Sequence, residues 1–187
     1  MEVQILSQAH MLYTKKGDDG KTSAYHCDQR FSKSSVVAEA LGSLDETNSF
    51  LGIVKAKLAE RNITLFSVGP ERAADIIQEM QENIFIIQAE VAGAEKTVGE
   101  EKIREVEDLI RSIEKEIPPV ISFVISGVSI ESAELDFART LIRKTERRVV
   151  AVSEEGLLKF QLILLLTLTA CQVYCLPWLD FPPIKVV

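Results

Sequence analysis

A stripe of arginines on a predicted helix constrains this sequence more than any other feature. Arg139, Arg143 and Arg147 are four residues apart, so at helical pitch they lie along one face. The stretch 138–150 holds five basic residues and one acidic residue, a local charge of +4 in a chain of formal net charge −7. Like charges at this spacing destabilise an isolated helix. Two interpretations stay open: a solvated face with loose ion pairs, or a phosphate-binding face, because arginine forks match phosphate oxygens. An apolar side of the same helix is supplied by Ala138, Leu141, Ile142, Thr145 and Val149.

The sequence before this stretch predicts another long helix. Ser34 or Ser35 can cap it, because serine oxygens accept from the free N–H groups of a first turn. Apolar residues then recur at helical spacing: Val37, Leu41, Leu44, Leu51 and Leu58. Asn48 falls directly on this stripe and is expected to be a satisfied buried amide. Asp45 and Glu46 are either exposed helix residues or, in the alternative, supply a carboxylate that pairs with the arginine stripe.

Two more helices are predicted between these two. One begins at Gly69-Pro70 and runs to about Ala94, with an apolar side of Ile76, Ile77, Met80, Ile84, Phe85 and Ile87. The next runs from about Glu100 to Glu116 and ends at two prolines, with Ile103, Val106, Ile110 and Ile113 at helical spacing. An apolar, extended segment over 120–127 leads into the arginine helix, which Ser129 can cap. The expected fold class is therefore all-α, an up-down helical bundle of about five helices.

Composition restricts the class of partner. An acidic chain with pI near 5.0 argues against nucleic acid or an anionic membrane surface as the main partner. The three cysteines, Cys27, Cys171 and Cys175, form no second metal-ligand pair, which favours free thiols in a reducing compartment. Residues 1–12 have neither a signal-peptide core nor an arginine-rich presequence. We therefore expect a cytoplasmic protein.

A turn-rich segment near the N-terminus is a second candidate for phosphate binding. Residues 13–23 read Tyr-Thr-Lys-Lys-Gly-Asp-Asp-Gly-Lys-Thr-Ser, with two glycines and three lysines. Glycines allow backbone N–H groups to converge on an anion, and lysines and hydroxyls can complete the cradle. The spacing of a Walker loop is absent, so an ordinary surface turn remains the other interpretation.

Taken together, these segments resemble the PduO-type ATP:cob(I)alamin adenosyltransferase family. Residues 13–20 resemble the family's N-terminal ATP loop, and 30–33 resemble the basic segment that follows it. Residues 42–49, Gly-Ser-Leu-Asp-Glu-Thr-Asn-Ser, resemble the helix motif G-x-x-D-E-L-N-S. Met80-Gln81, Ile84-Phe85 and Ala89-Glu90 fit the second helix, and residues 123–127 and 138–150 fit the last motifs.

The resemblance implies a reaction and a set of site residues. Cob(I)alamin attacks the 5′ carbon of ATP and displaces triphosphate, so the site must neutralise a highly charged leaving group. From one subunit, the implied ATP-binding residues are Thr14, Lys15, Lys16, Gly17, Thr22, Ser23 and Lys33. From the neighbouring subunit of a homotrimer, they are Arg143, Lys144, Thr145, Glu146 and Arg147, with Mg²⁺ on the phosphates and no metal site made by the protein alone.

Three residues take further implied roles in catalysis. Asp45 is at the position of a carboxylate that pairs with Arg139 across the subunit interface, which would offset the like charges of the stripe. Phe123 falls where the family places an aromatic ring against the lower face of cobalamin. A ring there keeps an axial ligand off cobalt and so favours Co(I).

The sequence departs from the family pattern most strongly after residue 156. Lys144 replaces a usual second arginine, which keeps the charge but loses a bidentate fork. The family's final N-R-L-S-D motif is missing, and 160–179 contains no charged residue. We expect three segments within a single domain: an ATP-loop segment over 1–33, the bundle over 34–156 and an atypical apolar tail over 157–187.

The apolar tail leaves alternatives open. A buried final bundle helix is favoured over a membrane span, although 160–179 has the length of one; a changed reading frame is a third explanation. For function, the alternative to the adenosyltransferase is a catalytically impaired bundle homologue that keeps trimer formation, with or without ATP binding.

Overall fold

The computed structural model describes residues 15–23, 30–61, 73–95, 98–115 and 125–156, together with Leu165 and Thr169. Four helices form the described bundle: α1 (Val36–Arg61), α2 (Ala73–Val91), α3 (Glu100–Glu114) and α4 (Ile130–Glu154). A small antiparallel pair of strands, β1 (Lys21–Ser23) and β2 (Arg30–Ser32), precedes them. Helix α1 packs against both α4 and α2. The predicted all-α bundle is thus confirmed, with the strand pair as an addition that helical periodicity does not reveal.

Local signals in the sequence account for where the helices begin. The Ser35 hydroxyl accepts from the backbone N–H of Ala38 (3.2 Å), so Ser35 is the cap that the sequence predicts for α1. At α4, the Ser129 hydroxyl accepts from the Ser132 N–H, and the Ser132 hydroxyl accepts from the Ser129 N–H, both at 3.1 Å. This reciprocal capping box confirms the predicted start of the arginine helix. The predicted first residues of α2 and the segment 116–124 lie outside the described residues.

The predicted apolar stripes form one core. The largest fully buried side chains include Leu44, Leu51, Ile77, Met80, Ile84, Ile87 and Ile142. Phe85 was predicted on the apolar side of α2, but this prediction is wrong because half of its surface is exposed. The next residue along a helix is turned by about 100°, and Ile84 occupies the core-facing position beside it. Phe50 and Phe137 pack edge to face across α1 and α4, with ring centroids 4.9 Å apart.

Asn48 also departs from expectation. Its side-chain oxygen is buried and has no hydrogen-bond partner among the described residues, so the oxygen of this amide is not satisfied as predicted. Its backbone carbonyl accepts instead from the side chain of Gln81 on α2 (3.0 Å). The side-chain oxygen of Gln81 is likewise buried and finds no partner in the part of the chain that the structure describes. The polar interruption of the α1 stripe therefore faces α2.

The two described residues of the tail contact the bundle interior. Leu165 and Thr169 are helical and fully buried, and Leu165 belongs to the hydrophobic core. The Thr169 hydroxyl donates to the Leu165 carbonyl (2.7 Å). Burial of both residues favours the predicted final bundle helix over a membrane span. None of the helices among the described residues combines the length and apolar composition needed to cross a membrane.

Candidate active site

Arg30 organises the N-terminal loop. Its two terminal nitrogens donate to the carboxylate of Asp19, at 2.9 and 2.7 Å. The same guanidinium also donates to the backbone carbonyls of Lys16 and Lys21. The Lys21 N–H and then the Arg30 guanidinium hold the pKa of the Asp19 carboxyl below its ordinary value. One side chain from β2 thereby closes residues 16–21 into a ring.

Lys33 is held over this ring. Its ammonium donates to the Gly17 carbonyl (2.8 Å), and its backbone N–H donates to the Gly20 carbonyl (3.0 Å). A Cβ atom at position 17 would lie 2.9 Å from the Lys33 ammonium, so a larger residue there would displace the flexible end of this lysine. Lys15 has a left-handed backbone (φ 60°), which is unusual for a non-glycine residue and is typical of functional loops. The structure therefore places Lys33 against the loop that contains Lys15, Lys16 and Gly17, and ATP binding by these residues stays a prediction.

The other loop residues predicted to bind ATP are Thr14, Thr22 and Ser23. Thr22 and Ser23 lie on β1, opposite Phe31 and Arg30 of β2. Thr14 lies outside the described residues. The sequence analysis did not predict that Arg30 and Asp19 pair and hold the loop together. The available signal was their opposite charge in two neighbouring polar segments.

On α4, the predicted arginine stripe is present. Arg143 and Arg147 are exposed and Arg139 is half-buried. The Arg139 Nε donates to Asp136 (2.8 Å), and Arg143 lies 3.9 Å from Glu146. Arg147 has no ion-pair partner within the described part of the chain, and no hydrogen bond or ion pair there joins Arg143 or Arg147 to the loop. The exposed end of the stripe is therefore accessible to an anion from solvent.

Lys144 lies on another side of α4 from the stripe. Its ammonium pairs with Glu46 of α1 (2.7 Å), and one turn further Arg148 pairs with Glu39. These four side chains line a groove of about 210 Å³ between α1 and α4. Part of the +4 charge of residues 138–150 is thus neutralised within the chain. The Lys144 ammonium, which the resemblance implies in ATP binding, is therefore already paired with Glu46 of the same chain.

Thr145 corrects the site derived from the resemblance. Its side chain is completely buried, and its hydroxyl is hydrogen-bonded to Ser43 and Thr47 of α1. A side chain with no exposed surface cannot contact ATP in this conformation. The sequence analysis also placed Thr145 on the apolar side of α4, and the burial of Thr145 confirms that prediction.

The implied catalytic residues are only partly described. Asp45 is exposed on α1 and forms no hydrogen bond or ion pair among the described residues. Its predicted pairing with Arg139 of a neighbouring subunit stays a prediction. Phe123 lies outside the described residues. Within the described ranges, no three His, Cys, Asp or Glu side chains come close enough together to hold a metal ion.

Comparisons with known proteins agree on one family. The family model "Cobalamin adenosyltransferase" matches residues 12–166. A corrinoid adenosyltransferase from Citrobacter freundii is 33% identical over 153 residues, which cover 76% of this chain and 79% of that protein. The corrinoid adenosyltransferase of Bacillus subtilis is 33% identical over 150 residues, covering 77% of this chain and 74% of its relative.

A solved structure shares the fold. It is a phenylalanine-to-alanine variant of the PduO-type ATP:corrinoid adenosyltransferase from Lactobacillus reuteri, complexed with cobalamin and ATP. Its TM-score is 0.81 at 20% identity, and the match covers 94% of this chain and 99% of that one. With a lysine- and glycine-bearing loop, an exposed arginine stripe and a family model matching most of its length, this chain belongs to the cobalamin adenosyltransferase family.

Proposed function

We propose that this chain transfers the 5′-deoxyadenosyl group of ATP to cob(I)alamin, which produces adenosylcobalamin and triphosphate. One observation carries the proposal: the chain presents two phosphate-compatible surfaces at once. The first is the ring of residues 16–21 with Lys33 over Gly17, and the second is the exposed Arg143 and Arg147 on α4. The relatives that bear the name corrinoid adenosyltransferase support the same reaction.

The chemistry explains why two cationic surfaces are useful. Cob(I)alamin attacks the 5′ carbon, a cobalt–carbon bond forms, and the carbon–oxygen bond breaks with its electron pair leaving on triphosphate. Positive groups fixed around the phosphates stabilise that developing charge. Lys33 now donates to a neutral carbonyl, and exchanging it for a phosphate oxygen gives a stronger, charge-assisted hydrogen bond. Mg²⁺ would accompany ATP on its phosphate oxygens.

The two surfaces are proposed to meet between subunits of a homotrimer. The composite site would take the loop from one subunit and the stripe from the next; among the described residues, no hydrogen bond or ion pair joins Arg143 or Arg147 to the loop of the same subunit. Asp45 and Arg139 would pair across that interface. The exposure of Asp45 and the absence of a partner for it in the described residues support this arrangement.

Phe123 and the cytoplasmic location remain predictions. Phe123 would cover the lower face of cobalamin and exclude an axial ligand, which makes reduction to Co(I) easier. The cytoplasmic location is proposed because the odd count of three cysteines favours free thiols in a reducing compartment.

The second candidate function is a catalytically impaired homologue that keeps the trimer, with or without ATP binding. The observation that favours it is the absence of the N-R-L-S-D motif from the tail.

The deciding experiment is adenosylcobalamin formation from ATP, Mg²⁺ and chemically reduced cobalamin. Arg143→Ala should remove most of the activity, because the exposed end of the stripe is truncated. Arg111→Ala is the matched control, since Arg111 is an exposed arginine that pairs only with Glu107 and Asp108 of its own helix among the described residues. Wild-type protein that binds ATP without forming product would instead identify the impaired homologue.

A further inference from the structure

A cluster of three hydroxyl groups is buried between α1 and α4. Ser43, Thr47 and Thr145 are 5%, 1% and 0% exposed, respectively. The Thr145 oxygen lies 2.9 Å from the Ser43 hydroxyl and 2.8 Å from the Thr47 hydroxyl. Both threonine hydroxyls also reach the backbone carbonyl of Ser43, at 2.8 and 2.9 Å. Every hydroxyl in the cluster therefore has a partner, although the surroundings are a hydrocarbon core.

Hydrogen bonds hold two helices differently from apolar packing. They require short distances and defined angles, whereas apolar contact depends mainly on area and tolerates small sliding movements. Loss of one partner would leave another hydroxyl buried and unsatisfied. The cluster thus penalises any axial shift or rotation of α4 along α1. The G-x-x-D-E-L-N-S motif has leucine at the position of Thr47, so this chain has a polar side chain where the motif has a hydrocarbon one.

The cluster lies directly behind residues of the proposed active site. Asp45 is two residues from both Ser43 and Thr47, while Arg143 and Arg147 are each two residues from Thr145. Residues two apart on a helix point to nearly opposite sides. In agreement, the cluster is buried while Asp45, Arg143 and Arg147 are exposed. The relative position of the inner hydroxyls therefore determines where the outer charges are presented.

We propose that Thr47 and Thr145 are positioning residues that hold the arginine stripe at one fixed register against α1. They do not touch ATP; they act through Arg143 and Arg147. This inference rests on the proposed function for its kinetic consequence. It replaces the direct ATP contact that the family resemblance implies for Thr145.

The test compares three substitutions on α4. Thr145→Val keeps the shape and removes the hydroxyl, Thr145→Ser keeps the hydroxyl, and Ile142→Val trims a fully buried core residue nearby. Misplaced arginines bind ATP less tightly and stabilise the charge that develops on triphosphate less well. Thr145→Val should therefore raise KM for ATP and lower kcat/KM about tenfold. Thr145→Ser should restore KM, and Ile142→Val should leave KM unchanged although it also lowers Tm.

An unchanged KM in Thr145→Val, with Tm lowered as in Ile142→Val, would show that the cluster only stabilises the fold. Thr47→Val provides the same comparison from α1 if Thr145→Val does not fold. A second readout is independent of activity: amide hydrogen exchange over 143–147 should be faster in Thr145→Val than in Ile142→Val. If the wild-type protein forms no adenosylcobalamin, the proposed function fails, and this exchange comparison still decides the proposal. Equal exchange in the two variants would overturn it.

Discussion

Mixing two inactive variants tests whether the ATP site is shared between subunits. Lys33→Ala removes the ammonium above the loop, and Arg143→Ala removes a guanidinium from the stripe. Lys33 donates to the neutral Gly17 carbonyl, and the ion pair of Arg143 with Glu146 is long at 3.9 Å, so each truncation removes only a weak contact within the subunit. Each variant alone should fold and should bind ATP weakly.

The size of the effect follows from the bonds removed. One charged hydrogen bond contributes about 1.5–3 kcal/mol, so each variant should bind ATP about 10- to 150-fold more weakly. In a cyclic trimer, each site takes its loop from one subunit and its stripe from the next. Every trimer that contains both variants then holds a single intact site. Random mixing in equal amounts should restore about one quarter of the wild-type sites.

The assay uses subunits that are dissociated, mixed and reassociated, followed by ATP titration and measurement of adenosylcobalamin formation. Mixing each variant with itself gives the background. Lys115→Ala is the matched control for Lys33→Ala, because Lys115 is an exposed lysine at the end of α3. Lys115→Ala should behave as wild type in both measurements.

Two results would refute the composite site. If neither variant alone weakens ATP binding, loop and stripe are not part of an ATP site. If both variants are weak and mixing restores nothing although mixed oligomers form, the loop and the stripe of one subunit act together.

Three further predictions concern single residues. Asp45→Ala should reduce the trimer fraction in ultracentrifugation or sharply reduce activity, because Arg139 would lose its partner at the interface; a fully active trimer would contradict the pairing. Phe123→Ala should leave ATP binding and Tm nearly unchanged while activity falls most with Co(II) as the starting state; a stability loss of about 3–5 kcal/mol with proportional activity would instead identify a core side chain. The Asp19 carboxyl should titrate below its ordinary value of 3.8 in an NMR pH titration, because its charged form accepts from Lys21 and Arg30. Since the folded pKa is lowered, the stabilisation from Asp19 is present above about pH 4 and is lost as pH falls through the folded pKa; an Arg30→Ala variant with the same midpoint would contradict this cause.

The sequence alone was sufficient for features that depend on residues close together in the chain. Helical periodicity located α1, α3 and α4, and the serine caps located two of their starts. The stripe of Arg139, Arg143 and Arg147 also follows from spacing, because one helix fixes the relative directions of its own side chains. The order of several short motifs then identified the family, although no single motif was specific.

Only the tertiary structure decided which partners each charged or polar side chain has. Arg30 closes the loop because β2 pairs with β1, and Lys144 meets Glu46 because α4 packs beside α1 at one register. Thr145 shares a short segment with Arg143 and Arg147, yet packing buries it against Ser43 and Thr47 while the arginines face solvent. Contacts between residues about 100 positions apart depend on how two helices are placed against each other. Local sequence sets the face on which a side chain lies, whereas the partner helix determines whether that face meets water, a carboxylate or a hydroxyl.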